Sequence, residues 1–120
     1  ALLTDRLNVA LAQAQRSGRH LALMYMDLDK FKDINDRYGH AQGDLVLREV
    51  AIRLSHCVRS SDTISRQGGD EFLLVLPEIE SSNDATRVAQ KVISSLAQPF
   101  MLEGGEVMMS GSIEPTVQPA

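Results

Sequence analysis

The chain has 120 residues, 43% hydrophobic and 23% charged, with twelve basic against sixteen acidic side chains for a net charge of −4. That length admits one hydrophobic core and a single domain over 1–120, and the acidic balance argues against electrostatic wrapping of DNA or RNA, which needs a basic face. The lone cysteine, Cys57, excludes an internal disulfide and a thiolate metal cluster and suits a reducing, cytoplasmic setting. No apolar run reaches the ~18 residues of a membrane span, and the first residues lack a signal-peptide pattern. Membrane anchoring, if the parent protein has it, is expected from other domains.

Thr4 suits the N-cap of a helix through about Arg16, with Leu7, Ala10, Leu11 and Ala14 on one stripe and Gly18 as its stop. His20 to Asp29 is a near-continuous apolar run closed by acids, the pattern of a strand buried on both faces. A carboxylate at the end of such a strand is costly to bury uncompensated, and a divalent cation is the usual compensation. Asp29 is then expected to cap a short helix through about Arg37. Its first-turn N–H groups near Lys30, Phe31 and Lys32 would make an anion cradle suited to triphosphate oxygens. Acids at 27, 29 and 33 raise an EF-hand loop, but Phe31 and Lys32 stand where that loop needs a ligand and a glycine, and Tyr38 replaces its closing glutamate.

Gly39 to Asp44 reads as a polar linker into a helix of about Asp44 to Val58, with Leu47, Val50, Ala51 and Leu54 inward and Cys57 as a plain core thiol. Asn35 and Asp44 flank the linker. An amide beside a carboxylate can read the edge of a guanine, although both residue types also serve as ordinary caps. Arg59 and Asp62, three apart in a loop, taken alone read as a solvated or locally paired couple.

Ser65 to Leu76 runs from polar residues through Gly68-Gly69 and two acids into an apolar stretch, a hairpin signal with Asp70 and Glu71 at the turn. Because strand neighbours face opposite ways, the two acids aim at one point only if the turn twists them together. Pro77 is expected to end the second strand. Ser81 to Asp84 then caps a helix to about Leu96, with Val88, Ala89, Val92, Ile93 and Leu96 inward and Pro99 as its stop. Phe100 to Leu102, the turn Glu103 to Glu106 and Val107 to Ile113 read as a second hairpin, with Met101, Met108 and Met109 as core fillers. Two prolines break the apolar pattern after Ile113, so 114–120 is expected to be an irregular tail.

Gly68-Gly69-Asp70-Glu71-Phe72 is, letter for letter, the signature of the GGDEF family of diguanylate cyclases, and Asp27 to Asp44 resembles that family's other long motif in the right order and separation. The resemblance covers most of the chain. It implies an α/β (α+β) domain of ferredoxin-like, nucleotidyl-cyclase palm type, with a mostly antiparallel central sheet flanked by helices. The family's short Asp-x-Leu-Thr segment before the first helix and its last strand and helix have no counterpart, which suggests a piece of a larger protein. The implied activity is condensation of two GTP into cyclic di-GMP, with two Mg²⁺ per site, Mn²⁺ being an acceptable substitute. By resemblance Asp27, the Leu28 carbonyl, Asp70 and Glu71 hold metal, while Asp70, Lys32 and Glu71 serve catalysis. Phe31, Asn35, His40, Asp44 and Gly69 hold GTP, and Arg59 with Asp62 forms an inhibitory product site. Each domain holds one GTP, so the resemblance also implies a homodimer, with sensor or phosphodiesterase domains elsewhere in the parent chain. A competing reading is a silent GTP-binding module regulating a neighbouring phosphodiesterase. The Leu76-Pro77-Glu78 and Pro99 to Gly104 segments look like versions found beside such domains.

Overall fold

In the computed structural model, which describes residues 2–118, the strand β1 (His20–Leu28) runs through the middle of a four-stranded sheet. It is flanked in chain order by α1 (Leu2–Ser17), α2 (Phe31–Tyr38), α3 (His40–Ser55), β2 (Thr63–Gly68), β3 (Glu71–Ile79) and α4 (Ser82–Leu96). β4 (Phe100–Leu102), β5 (Gly105–Val107) and β6 (Gly111–Gln118) complete the described chain. The sheet order is β2-β3-β1-β6, antiparallel throughout, and β4 and β5 form a separate two-stranded hairpin. This is the α/β architecture expected from the sequence.

Side chains alternate across β1 and so divide the core in two. Ala22, Met24, Met26 and Leu28 meet Phe31, Val46, Val50, Leu54, Val92 and Leu96 from α2, α3 and α4. Leu21 joins Leu73 and Val75 of β3 beneath Ala10 and Ala14 of α1, whose small side chains let that helix lie close. Each fully buried Leu or Met contributes roughly 1.5–3 kcal/mol. α1 does not cover the sheet as far as the end of β1. Beyond Leu73 that face opens to solvent, with Tyr25 48% exposed.

Several local expectations are corrected. α1 already runs at Thr4, which therefore does not cap it, and Leu11 is exposed. Gly18 does stop the helix, in the left-handed region at φ 71°, its N–H donating to Ala14 O at 3.0 Å. α3 begins at His40 rather than Asp44, so most of the supposed linker is its first turn. Val46 takes the buried place given to Ala51, and Cys57 lies buried just past the helix end. β3 continues through Pro77 to Ile79, and Ile93 on α4 is exposed. β5 stops at Val107, and Met101 and Met108 point outward while Phe100, Val107 and Met109 point inward.

The largest difference is β6, which continues through Gln118 where an irregular tail was expected. Pro115 sits opposite Met24 on the edge strand. Asp29 N–H donates to Ser110 O at 2.9 Å, and counting by twos from that pair puts Pro115 at a position whose nitrogen faces away from β1. A missing donor costs nothing there. Pro119 and Ala120 lie outside the described residues. No helix among them is long and apolar enough to cross a membrane.

Candidate active site

The tip of the β2–β3 hairpin and the end of β1 meet at the open edge of the α1 face. Gly68 and Gly69 carry φ of 148° and 48°, which a side chain would strain, and Arg66 Nε braces the turn by donating to Gly69 O at 3.0 Å. Leu28 N–H donates to Asp70 O at 3.1 Å, locking the turn to the strand end. One step back, Asp27 stands opposite Glu71. That is a non-hydrogen-bonded position, where Cα atoms approach to about 4.5 Å and side chains share one face.

The structure therefore brings Asp27 and Glu71 face to face, with Asp70 the next residue back along the turn, across from Leu28. The buried-strand argument for a cation does not hold, because Asp27 and Glu71 are exposed and Asp70 is half-buried. Proximity of like charges takes its place: among the described residues, no hydrogen bond or ion pair engages any of these carboxylates. No three of the described acids, histidines or cysteines converge into a cage. Two facing carboxylates without a cation of the protein's own are nonetheless a fitting donor set for Mg²⁺, which takes one or two carboxylates and fills its remaining positions with water and phosphate.

Asp29 does not cap α2. Lys30 holds the N-cap position in the left-handed region (φ 60°, ψ 26°), and no side chain caps the helix. The Asp29 carboxylate instead accepts the hydroxyls of Ser110 at 2.9 Å and Ser112 at 3.1 Å. Lys30 O accepts from Asp33 N–H and Ile34 N–H, leaving the N–H groups of Phe31 and Lys32 without helical partners at the first turn. Lys32 is exposed and Phe31 is buried under the turn.

Asn35 packs against Gly43, the residue before Asp44 in the first turn of α3. A Cβ at Gly43 would overlap Asn35 Oδ1, so a side chain there would displace the Asn35 amide from its present place. Asp44 and Arg66 line one cleft of about 460 Å³ with Arg48, Ile64 and Phe72, whereas Asn35 does not reach it. His40, first in α3, is exposed.

Arg59 and Asp62 are spent on each other. Asp62 accepts the Arg59 backbone N–H at 2.7 Å and the guanidinium at 3.0 Å, and the guanidinium also donates to Pro77 O at 2.8 Å. Asp62 is almost fully buried by this, at 1% side-chain exposure, while Arg59 remains 53% exposed. They border a pocket of about 400 Å³ to which Arg19, Arg87 and Lys91 also contribute. The sequence reading missed these three cations. Arg87 and Lys91 sit one turn apart on α4, but nothing in their spacing points to Arg59. In the same wall, burial pushes the Cys57 thiol above its ordinary value, against the opposing pull of Lys91 and Ser95.

A family model described as "Diguanylate cyclase, GGDEF domain" matches residues 1–119. Among curated proteins, the bifunctional diguanylate cyclase/cyclic di-GMP phosphodiesterase MucR of Pseudomonas aeruginosa is 48% identical over 112 residues, 93% of this chain and 16% of MucR. The diguanylate cyclase TpbB of the same species is 42% identical over 108 residues, 90% of this chain and 25% of TpbB. This chain thus spans a quarter or less of the length of those relatives. The crystal structure of the TpbB (YfiN) GGDEF domain superposes with a TM-score of 0.94 at 40% identity, covering 98% of this chain and 74% of that one. The GGDEF domain of DgcB from Caulobacter crescentus in complex with c-di-GMP superposes at 0.86 with 26% identity, covering 97% and 62%.

Proposed function

Because the chain belongs to the GGDEF family of diguanylate cyclase domains, we propose that it condenses two GTP molecules into cyclic di-GMP with release of pyrophosphate. The observation that carries this reading is the pairing of Asp27 with Glu71, next to Asp70 on the glycine turn, with no hydrogen bond or ion pair to their carboxylates among the described residues.

The reaction needs a 3′-hydroxyl stripped of its proton and aimed in line at the α-phosphate of a second nucleotide. Asp70, whose backbone is fixed on the turn by its bond to Leu28, takes that proton, with Glu71 supporting it. The Lys32 ammonium balances charge gathering on the phosphates, whose oxygens rest on the N–H groups of α2. Asp27, the Leu28 carbonyl, Asp70 and Glu71 would hold Mg²⁺, which when bound acidifies the attacking hydroxyl and screens the phosphates. Asn35 and Asp44 read the guanine edge, and Phe31, His40 and Gly69 complete the nucleotide cradle.

One domain seats one GTP, so turnover requires two copies facing each other, and a homodimer is the active form. Product returns to the pocket at Arg59 and Asp62, where the guanidinium clamps phosphate and guanine once it exchanges its present partners.

A second reading, a GTP-binding module governing a neighbouring phosphodiesterase domain, is favoured by the match to a bifunctional relative. Incubating the intact protein with GTP and Mg²⁺ and separating the nucleotides by chromatography decides between them. A cyclase yields cyclic di-GMP, whereas a silent module returns bound GTP unchanged, and failure to take up GTP rejects both. Asp70→Asn should lower turnover by about 10³-fold with an unaltered circular dichroism spectrum. Turnover retained in that variant would reject Asp70 as the base.

A further inference from the structure

From the three bonds that tie Asp29 to Ser110 and Ser112, we propose that Asp29 is a positioning residue, holding the metal-facing end of β1 in place and keeping protein donors away from Asp27. The inference rests on the cyclase reading, because it concerns the use of that site. Ser112 stands directly across β1–β6 from Asp27, and Ser110 directly across from Asp29. Of the two acids, only Asp29 is engaged. Its Oδ1 takes the Ser112 hydroxyl at 3.1 Å, its Oδ2 takes the Ser110 hydroxyl at 2.9 Å, and its N–H donates to Ser110 O at 2.9 Å.

Two consequences follow for the site. The chain turns out of β1 through the left-handed Lys30 immediately after this tie, so the tie fixes where α2 begins and where its free N–H groups lie. The hydroxyl of Ser112, across the ladder from Asp27, is also committed to Asp29, which leaves the Asp27 carboxylate to a cation. Gly111, between the two serines, makes the close approach possible. A Cβ there would come within 2.9 Å of Leu96 Cδ1 and 3.3 Å of Asp27 O, so a larger residue would push β6 or its neighbours apart at the strand end. Removing the tie frees Ser112 to donate to Asp27 and loosens the start of α2. Partners that orient a metal ligand in this way change affinity by about 10–100-fold when removed.

The test uses the intact protein and Mg²⁺·GTP as the probe, with affinity measured by calorimetry. Asp29→Ala and the double variant Ser110→Ala/Ser112→Ala should each weaken binding by about tenfold, and the triple variant should lose no more than either. Asp29→Asn, whose amide can still accept from one serine and donate to the other, should keep binding within about threefold. If Asn is as damaging as Ala while the serine variant binds normally, Asp29 acts as a direct ligand and the proposal is overturned. It is equally overturned if all variants bind as the unsubstituted protein does. Amide hydrogen exchange without nucleotide gives a readout independent of the cyclase reading. Leu28 and Asp29 should exchange faster in the serine variant, and unchanged exchange would overturn the tie even if the unsubstituted protein took up no GTP.

Discussion

Two charged regions of this molecule are built on opposite terms. At Arg53, the guanidinium donates to Ser95 O, Gln98 O and Pro99 O, each at 2.8 Å, and to Glu49 at 3.1 Å, and it lies 3.8 Å from the centre of the Phe100 ring. It closes the end of α4, where backbone carbonyls lack helical partners, and fastens the chain to α3. At the end of β1, by contrast, Asp27 and Glu71 face each other, with Asp70 next along the turn, and no hydrogen bond or ion pair to the described residues engages their carboxylates. A charge saturated by its own protein holds the fold together. Charges gathered and left unpaired cost the fold some repulsion and keep their bonding capacity for something that arrives.

If the contrast is sound, disturbing the unpaired region should change chemistry far more than stability, with the loss of turnover in Asp70→Asn as the extreme. Next in size is Gly43→Ala. The new methyl overlaps Asn35 Oδ1, so the amide must move. GTP affinity should fall by about tenfold, and overpacking should destabilise the domain by about 1–3 kcal/mol. Affinity measured by titration and unfolding in urea report the two effects separately. A variant with unaltered affinity would remove Asn35 from the nucleotide site.

Arg53→Ala should show the reverse balance. Losing the charged bonds to three carbonyls costs about 2 kcal/mol, seen as a lower thermal midpoint, while GTP affinity per folded molecule stays unchanged. Smaller still is the effect of Asp84. Partial desolvation pushes its carboxyl up, but the N–H groups of Glu80 and Ser81 and the Arg87 guanidinium outweigh that and hold it below its usual range. A carboxyl depressed in the folded state stabilises above its unfolded value of 3.8 and loses that contribution as pH falls through the lowered folded value. Asp84→Asn should flatten the acid limb of a stability-against-pH curve slightly and leave pH 7 turnover untouched.

What could be read from the sequence divides along physical lines. β1, the glycine turn and the two acidic segments were legible because apolar runs and glycine pairs act locally. β6 was not, since a proline is forbidding only where its nitrogen must donate, and the edge position of Pro115 depends on a pairing with Met24 ninety-one residues earlier. Asp29 looked like a helix cap because capping is a local signal, and its serine partners lie 81 and 83 residues away. The gathering of Arg19, Arg87 and Lys91 near Arg59 was invisible for the same reason. Asp27 was singled out on an argument from burial that its exposure removes.

The central claim is that the acidic end of β1 holds a divalent cation together with GTP. Mn²⁺ binding to the intact protein, followed by electron paramagnetic resonance with and without GTP, tests it most directly when repeated on Asp27→Asn. Expected is a Mn²⁺ signal that binds tightly only with GTP and weakens by at least about tenfold in the variant. Equal Mn²⁺ affinity in the two proteins would contradict it.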